Sequence, residues 1–141
     1  MEVNIEWKNG MAFETEHEGF KMIIDADEKV GGTGRGPSPK GLTLVSLGGC
    51  TGMDVVSILR KMKVTFDTFN IQVLSELATE HPKKFKSIVI KYIFEGKDLL
   101  NSIQKIKKAI NLSEERYCGV SASLTPQVNI SNKLIINEEE V

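Results

Sequence analysis

The chain has 141 residues, 40% of them hydrophobic and 26% charged, with a formal net charge of −1. That size and balance suit one globular domain spanning residues 1–141 and able to bury roughly two-thirds of its unfolded surface. A charge near zero offers no footprint for nucleic acid or an anionic membrane, so neither is an expected partner. No signal-peptide pattern follows Met1, and the expected location is cytoplasmic.

Val3–Trp7 alternates and is followed by Asn9-Gly10, a strong hairpin signal. Met11–Thr15 returns the chain, and His17-Glu18-Gly19 turns it again into Phe20–Asp25, giving a three-stranded antiparallel meander. His17 beside the turn, and His81 before Pro82, read as solvated loop residues. The stretch from Gly31 to Met62, GGTGRGPSPKGLTLVSLGGCTGMDVVSILRKM, then opens as a glycine-rich loop. It lacks the Walker pattern, so a nucleotide is not expected. Ser38 suits an N-cap, Pro39 the first helical position, and Lys61 and Lys63 the far end. From Leu42 to Leu59 the polar side chains are Thr43, Ser46, Thr51, Asp54 and Ser57, which predicts a helix buried on every side. The run has a membrane-like length, but Asp54 and the glycines at 48, 49 and 52 argue for protein surroundings. Those glycines let another backbone come close, and the Gly48-Gly49 face is the expected contact between two copies of the helix.

Ile71–Leu77 and Lys86–Phe94 read as strands joined by a hairpin loop, Ala78–Lys84. Asp98–Asn111 is amphipathic, with Leu99, Leu100, Ile103, Ile106 and Ile110 on one face. Ser113 is expected to cap a short second helix carrying Arg116, Tyr117 and Cys118, with Glu114 and Glu115 in its first turn and Thr125-Pro126 at its end. Gln127–Ile136 supplies a last strand or strand pair before an acidic tail. The fold class is therefore α+β, with antiparallel strands around a long central helix.

The two cysteines, Cys50 and Cys118, lie 68 residues apart. In a reducing compartment a permanent disulfide is not expected, which leaves plain burial or a redox role. Burial alone makes a thiol inert. A redox role needs thiolate, and Cys50 lies too deep in its helix for the N-terminal dipole to supply it. A cation is required, and the arginines are Arg35 in the glycine-rich loop, Arg60 at the helix end and Arg116 beside Cys118. Asp54, four residues after Cys50, shares its face and could order such a cation; as a bare anion it would oppose ionisation. His and Cys spacing offers no zinc site, and no metal or cofactor is expected.

The words GPSPKGLTLVSLGGCTGMDVVSIL, followed by RYCGVSASL, resemble the OsmC/Ohr family of hydroperoxide-reducing proteins. The resemblance implies an intertwined α+β homodimer with two sites, each built from both subunits. It implies that Cys50 is the peroxidatic thiol, oxidised by an organic hydroperoxide to a sulfenic acid. Cys118 would then be the resolving thiol, closing a disulfide that a cellular dithiol reduces. Family peroxidases carry a Glu ten residues before the reactive Cys, paired with an Arg on the first hairpin. Here that position is Lys40 and no arginine precedes Arg35, so the chain looks like an OsmC-like branch without the pair, in which Arg35, Lys40 or Lys8 stands as the replacement cation. Two readings follow. One is a thiol-dependent peroxidase of oxidative-stress defence, with Leu47, Met53 and Val56 favouring a bulky alkyl peroxide. The other is a non-catalytic dimer holding a small hydrophobic ligand, with Lys40 at the mouth suiting a carboxylate. A thiol redox sensor shares the chemistry of the first and needs a protein partner.

Overall fold

Asn9 and Gly10 both take positive φ, 90° and 54°, the left-handed backbone that turns a chain tightly. In the computed structural model, which describes Met1–Val141, they reverse the chain between β1 (Ile5–Trp7) and β2 (Phe13–His17). Glu18 and Gly19, at φ 53° and 83°, make the two-residue turn between His17 and its partner Phe20 at the start of β3 (Phe20–Ile24). The three strands form one antiparallel sheet in the order β1-β2-β3, as the meander predicts. They belong to the first of two compact units, Met1–Leu44; Val45–Val141 is the second.

Asp25 ends β3 and organises the glycine-rich loop. Its side chain is fully buried and accepts the amides of Ala26 (2.7 Å), Arg35 (3.1 Å) and Thr33 (3.3 Å) and the Thr33 hydroxyl (2.9 Å). The Arg35 amide, more than any other donor, holds the Asp25 carboxyl well below the usual carboxylate range, against the opposing effect of desolvation. The Arg35 side chain closes the same knot, with Nε 3.5 Å from Asp25 Oδ2 and Nη2 donating to the Asn9 carbonyl and side-chain oxygens at 3.1 and 2.9 Å.

Ser38 caps α1 (Pro39–Lys61) by accepting the Gly41 amide at 3.2 Å. In the second unit the helix presents Leu47, Gly48, Thr51, Val55 and Leu59 inward, all buried. Val45 and Met53 on the other side are 68% and 76% exposed. The expectation of burial on every side thus holds for one face of the single chain. The expectation for Gly48 changes as well. A Cβ there would stand 3.0 Å from Val73 Cγ2, and one on Gly52 2.8 Å from Ile71 Cδ1, so these two glycines let the chain's own β4 (Thr68–Leu77) approach. Gly49 faces away, with nothing within 4 Å of such a Cβ.

β4 (Thr68–Leu77) and β5 (Phe85–Glu95) form the long hairpin, followed by β6 (Asn129–Ile136) and β7 (Glu139–Glu140) in the sheet order β4-β5-β6-β7. Ile88, Ile90, Tyr92 and Phe94 of β5 are all fully buried, the period-2 signature of one packed sheet face. Phe69 stacks on Phe94 at 4.2 Å between centroids, and Phe66 meets Phe94 edge-on at 5.3 Å.

The sheet is mixed where antiparallel strands were expected, because β5 and β6 pair in parallel. Two helices separate them, and a crossover of that length returns the chain in the same direction. The crossover contains α2 (Ile103–Leu112), entered through a 3-10 turn at Leu99–Ser102, and α3 (Gly119–Leu124). Between the helices, Ser113–Tyr117 forms one turn of π-helix. Ser113 therefore does not cap a second helix; the helical path runs through it, and Cys118 is the N-cap of α3.

Asp25 supplies a test. A carboxylate whose pKa is depressed by folding stabilises above the unfolded value near 4 and loses that contribution as pH falls through the folded value. Asp25→Asn is expected to lower Tm at pH 7. Its difference from the unmodified protein should shrink as pH drops below about 4, which thermal unfolding across pH measures.

Candidate redox-active thiol site

Two residues of α1, one helical turn apart, and one residue from the crossover build the site. Cys50 and Asp54 project from the same side of the helix, and Cys118 faces them from the junction of the π turn and α3. Cys50 Sγ, Cys118 Sγ and an Asp54 carboxylate oxygen all lie within 4.8 Å of one another. Both cysteines are free thiols, Cys118 buried at 2% exposure and Cys50 only partly covered.

The environment of Cys118 is defined on three sides. Burial, the largest influence, pushes its thiol up to about 11, and the neighbouring Cys50 side chain acts in the same direction. The amides of Ser121 and Val120 act against this, and the Ser121 N–H donates to Cys118 Sγ at 3.3 Å. The Cys118 amide donates to the Ser113 carbonyl at 2.8 Å, the bond that closes the π turn.

Ser113 also reaches Asp54, through a buried chain of hydroxyls whose direction is fixed. Asp54 Oδ2 accepts from Ser113 Oγ at 2.9 Å, and a carboxylate only accepts. Ser113 has spent its single proton there, so it accepts from Thr51 Oγ1 at 2.9 Å. Thr51 in turn accepts from the Tyr92 hydroxyl at 2.6 Å. Burial raises the Tyr92 phenol above its ordinary value, keeping it the neutral donor at the head of the chain. Every buried side-chain polar atom finds a partner.

The sequence named Cys50, Cys118 and Asp54, and the fold brings these three together. Arg35 is engaged within the first unit by Asp25, Thr33 and Asn9. Lys40 is exposed in the first turn of α1 and takes part in no ion pair. Arg116 lies 5.9 Å over the Tyr117 ring, Glu114 is held by Asn132 at 2.9 and 3.0 Å, and Arg60 is exposed at the end of α1. No cation of the second unit pairs with Asp54. Leu47 is fully buried on the inner face of α1, Met53 is exposed, and Val56 is half-buried beside Arg60, Val64 and Phe66. Thr51, Tyr92 and Ser113 were not singled out from the sequence as site residues. Thr51 was one of five polar residues in the mostly apolar Leu42–Leu59 run, and its place next to Cys50 was the one available signal.

The sequence matches the family model described as OsmC-like protein over residues 32–133. The chain belongs to the OsmC-like family, which includes redox and peroxidase proteins. It is 33% identical over 134 residues to Protein YhfA of Escherichia coli strain K12, covering 94% of this chain and 95% of that one. Among solved structures, a hypothetical protein from Aquifex aeolicus superposes with a TM-score of 0.80 at 29% identity, covering 97% of each chain. An organic hydroperoxide resistance protein OsmC from Legionella pneumophila shares the fold at 15% identity and a TM-score of 0.68, over 96% of this chain and 97% of its own.

The directed hydroxyl chain generates an ordering of effects. Thr51→Val strands the Tyr92 hydroxyl without an acceptor and leaves Ser113 without its donor, whereas Tyr92→Phe removes only the terminal donor. Leaving a buried polar group unpaired costs about 1–3 kcal/mol. Thr51→Val is therefore expected to be the more destabilising change in denaturant unfolding, and the reverse order would contradict the deduced direction.

Proposed function

We propose that the protein is a thiol-dependent peroxidase that reduces organic hydroperoxides, with Cys50 as the peroxidatic thiol and Cys118 as the resolving thiol. The observation that carries this reading is the convergence of the two sulfurs to within 4.8 Å from positions 68 residues apart in the chain. Closing to the 2.05 Å of a disulfide requires a movement of less than about 3 Å. Two inert core cysteines have no need to meet, still less beside a carboxylate.

The order of events follows from the unequal surroundings of the two thiols. Cys50 is the partly accessible one, and its thiolate attacks the terminal oxygen of ROOH. The O–O bond breaks, ROH leaves with the proton, and Cys50 becomes a sulfenic acid. Cys118 is shut away from solvent, with its thiol held protonated. It reacts second, when its sulfur attacks the sulfenate sulfur, expels water and forms the disulfide. A dithiol reductant returns both thiols, and its oxidation to a disulfide completes the balance. Met53, three residues after Cys50 and 76% exposed, is the apolar side chain this reading offers to an alkyl or aryl R group.

The bare outer face of α1, with Val45 and Met53 exposed and no side chain on Gly49, supports a homodimer in which a second copy covers it. Arg35 and Lys40, both of the first unit, are the candidates for the activating cation that this reading requires. We place the activity in the cytoplasm, where a dithiol reductant is at hand.

The test is turnover of cumene hydroperoxide with a dithiol reductant. Cys50→Ser is expected to abolish it. Cys118→Ser is expected to allow one turnover per chain, trapped as a sulfenic acid that oxidises further. Full turnover in either variant overturns the two-cysteine mechanism. A chain whose thiols ignore the peroxide, but which releases a small hydrophobic acid on denaturation, is instead the ligand-holding protein.

A further inference from the structure

Linear spacing offers no metal site in this chain: there is no Cys pair at short separation and the two histidines, His17 and His81, are isolated. The fold assembles what the spacing conceals. Two sulfurs and a carboxylate oxygen, all metal-ligating atoms, converge within 4.8 Å from two separate stretches of backbone. Around a tetrahedral zinc ion, with Zn–S near 2.3 Å and Zn–O near 2.0–2.2 Å, neighbouring ligand atoms stand roughly 3.5–3.8 Å apart. The trio needs to contract by at most roughly 1.3 Å to reach that spacing, within the reach of small side-chain rotations.

Three further features agree. Asp54 has no cationic partner in its unit, so within that unit the cluster gathers three potential anions without a paired cation. The hydrogen bond from Ser113 occupies only Oδ2 of the carboxylate, and the chain through Thr51 to Tyr92 fixes the orientation of that group. Outer partners of this kind orient ligating carboxylates in metal centres. On the other side, the Ser121 amide donates to Cys118 Sγ, which helps hold the sulfur in place.

We propose that reduced Cys50, Cys118 and Asp54 form a three-ligand site for zinc(II), with a fourth position open to water. Two thiolates and one carboxylate make a borderline-soft donor set, which selects zinc over magnesium or calcium. Binding replaces the two thiol protons with the metal, and no atom changes oxidation state. Metal and disulfide exclude one another, because both use the same two sulfurs. This last consequence rests on the peroxidase reading: when a hydroperoxide oxidises the zinc-bound pair, two electrons pass from the thiolates to ROOH. ROOH takes up two protons to give ROH and water, the S–S bond forms, and Zn2+ is released. The zinc form is thus a resting state that guards the thiols and reports their oxidation as free metal.

The probe is Co2+ added anaerobically to the reduced, metal-free full-length protein, then displaced with Zn2+. One Co2+ per chain is expected, with an intense near-ultraviolet sulfur-to-cobalt charge-transfer band and the visible bands of tetrahedral cobalt. One equivalent of Zn2+ should erase both. Cys50→Ser and Cys118→Ser should each roughly halve the charge-transfer intensity, which scales with the number of thiolate ligands. Asp54→Asn should weaken binding by more than about tenfold, at least the loss seen when a mere outer-shell partner is removed. Protein oxidised to the Cys50–Cys118 disulfide should take up no cobalt. Absence of the charge-transfer band in reduced protein overturns the site, and so does equal affinity in Asp54→Asn. Because Cys50 is only partly covered, the Cys50→Ser variant keeps the test valid if Asp54→Asn fails to fold. Hydroperoxide turnover measured on the same metal-free protein is independent of these readouts, so failure of the metal site and failure of the peroxidase are separately visible.

Discussion

Ser113 is the residue on which the site depends. Its carbonyl accepts the Cys118 amide and so closes the π turn, while its hydroxyl donates to Asp54 on α1. One side chain and its own backbone thereby tie the two halves of the thiol pair together across 59 residues of sequence. The insertion of a π turn has a further effect. It ends the helical path at Tyr117, so that Cys118 takes an extended conformation (φ −74°, ψ 96°) and starts a new helix as its N-cap. In a continuous α-helix Cys118 would simply have been one more residue of the ladder. The hydroxyls of Thr51 and Tyr92 extend the same constraint to β5, where the stacked aromatic rings of Phe69, Tyr92 and Phe94 hold the phenol. Gly48 and Gly52 complete it from below by letting β4 lie close against α1.

The two thiols share a cluster but not an environment. Cys118 is enclosed and its proton is held by burial, while Cys50 is only partly covered. In the proposed peroxidase cycle this asymmetry is what would assign the sulfurs to successive steps. The first unit has an electrostatic centre of its own. The buried Asp25 carboxylate gathers three amides and a hydroxyl and holds the loop that carries Arg35.

Much of this architecture was legible in the residues. Asn9-Gly10 and Glu18-Gly19 marked their turns, the alternation around β5 marked a packed strand, and Ser38-Pro39 marked the start of α1. What escaped had physical reasons. A parallel partner for β5 is set by where the crossover returns, which no local pattern encodes. The π turn escaped because Ser113-Glu114-Glu115 is also a good helix start, and local chemistry cannot distinguish a cap from a continuing turn. Gly48 and Gly49 are adjacent and alike in sequence, yet one faces β4 and the other faces outward, a distinction fixed by helix phase. In the site, Cys50, Cys118 and Asp54 could be named from type and spacing, whereas the hydroxyl chain linking them needed three elements to meet.

The proposed function requires the two sulfurs to act as one redox pair. The most direct measurement treats fully reduced, metal-free protein with one equivalent of cumene hydroperoxide, counts the remaining thiols and maps any disulfide by peptide mass spectrometry. Rapid loss of both thiols with a bond between Cys50 and Cys118 is the predicted result. Two thiols surviving unchanged, or a disulfide joining two copies through Cys50 while Cys118 stays free, would contradict it.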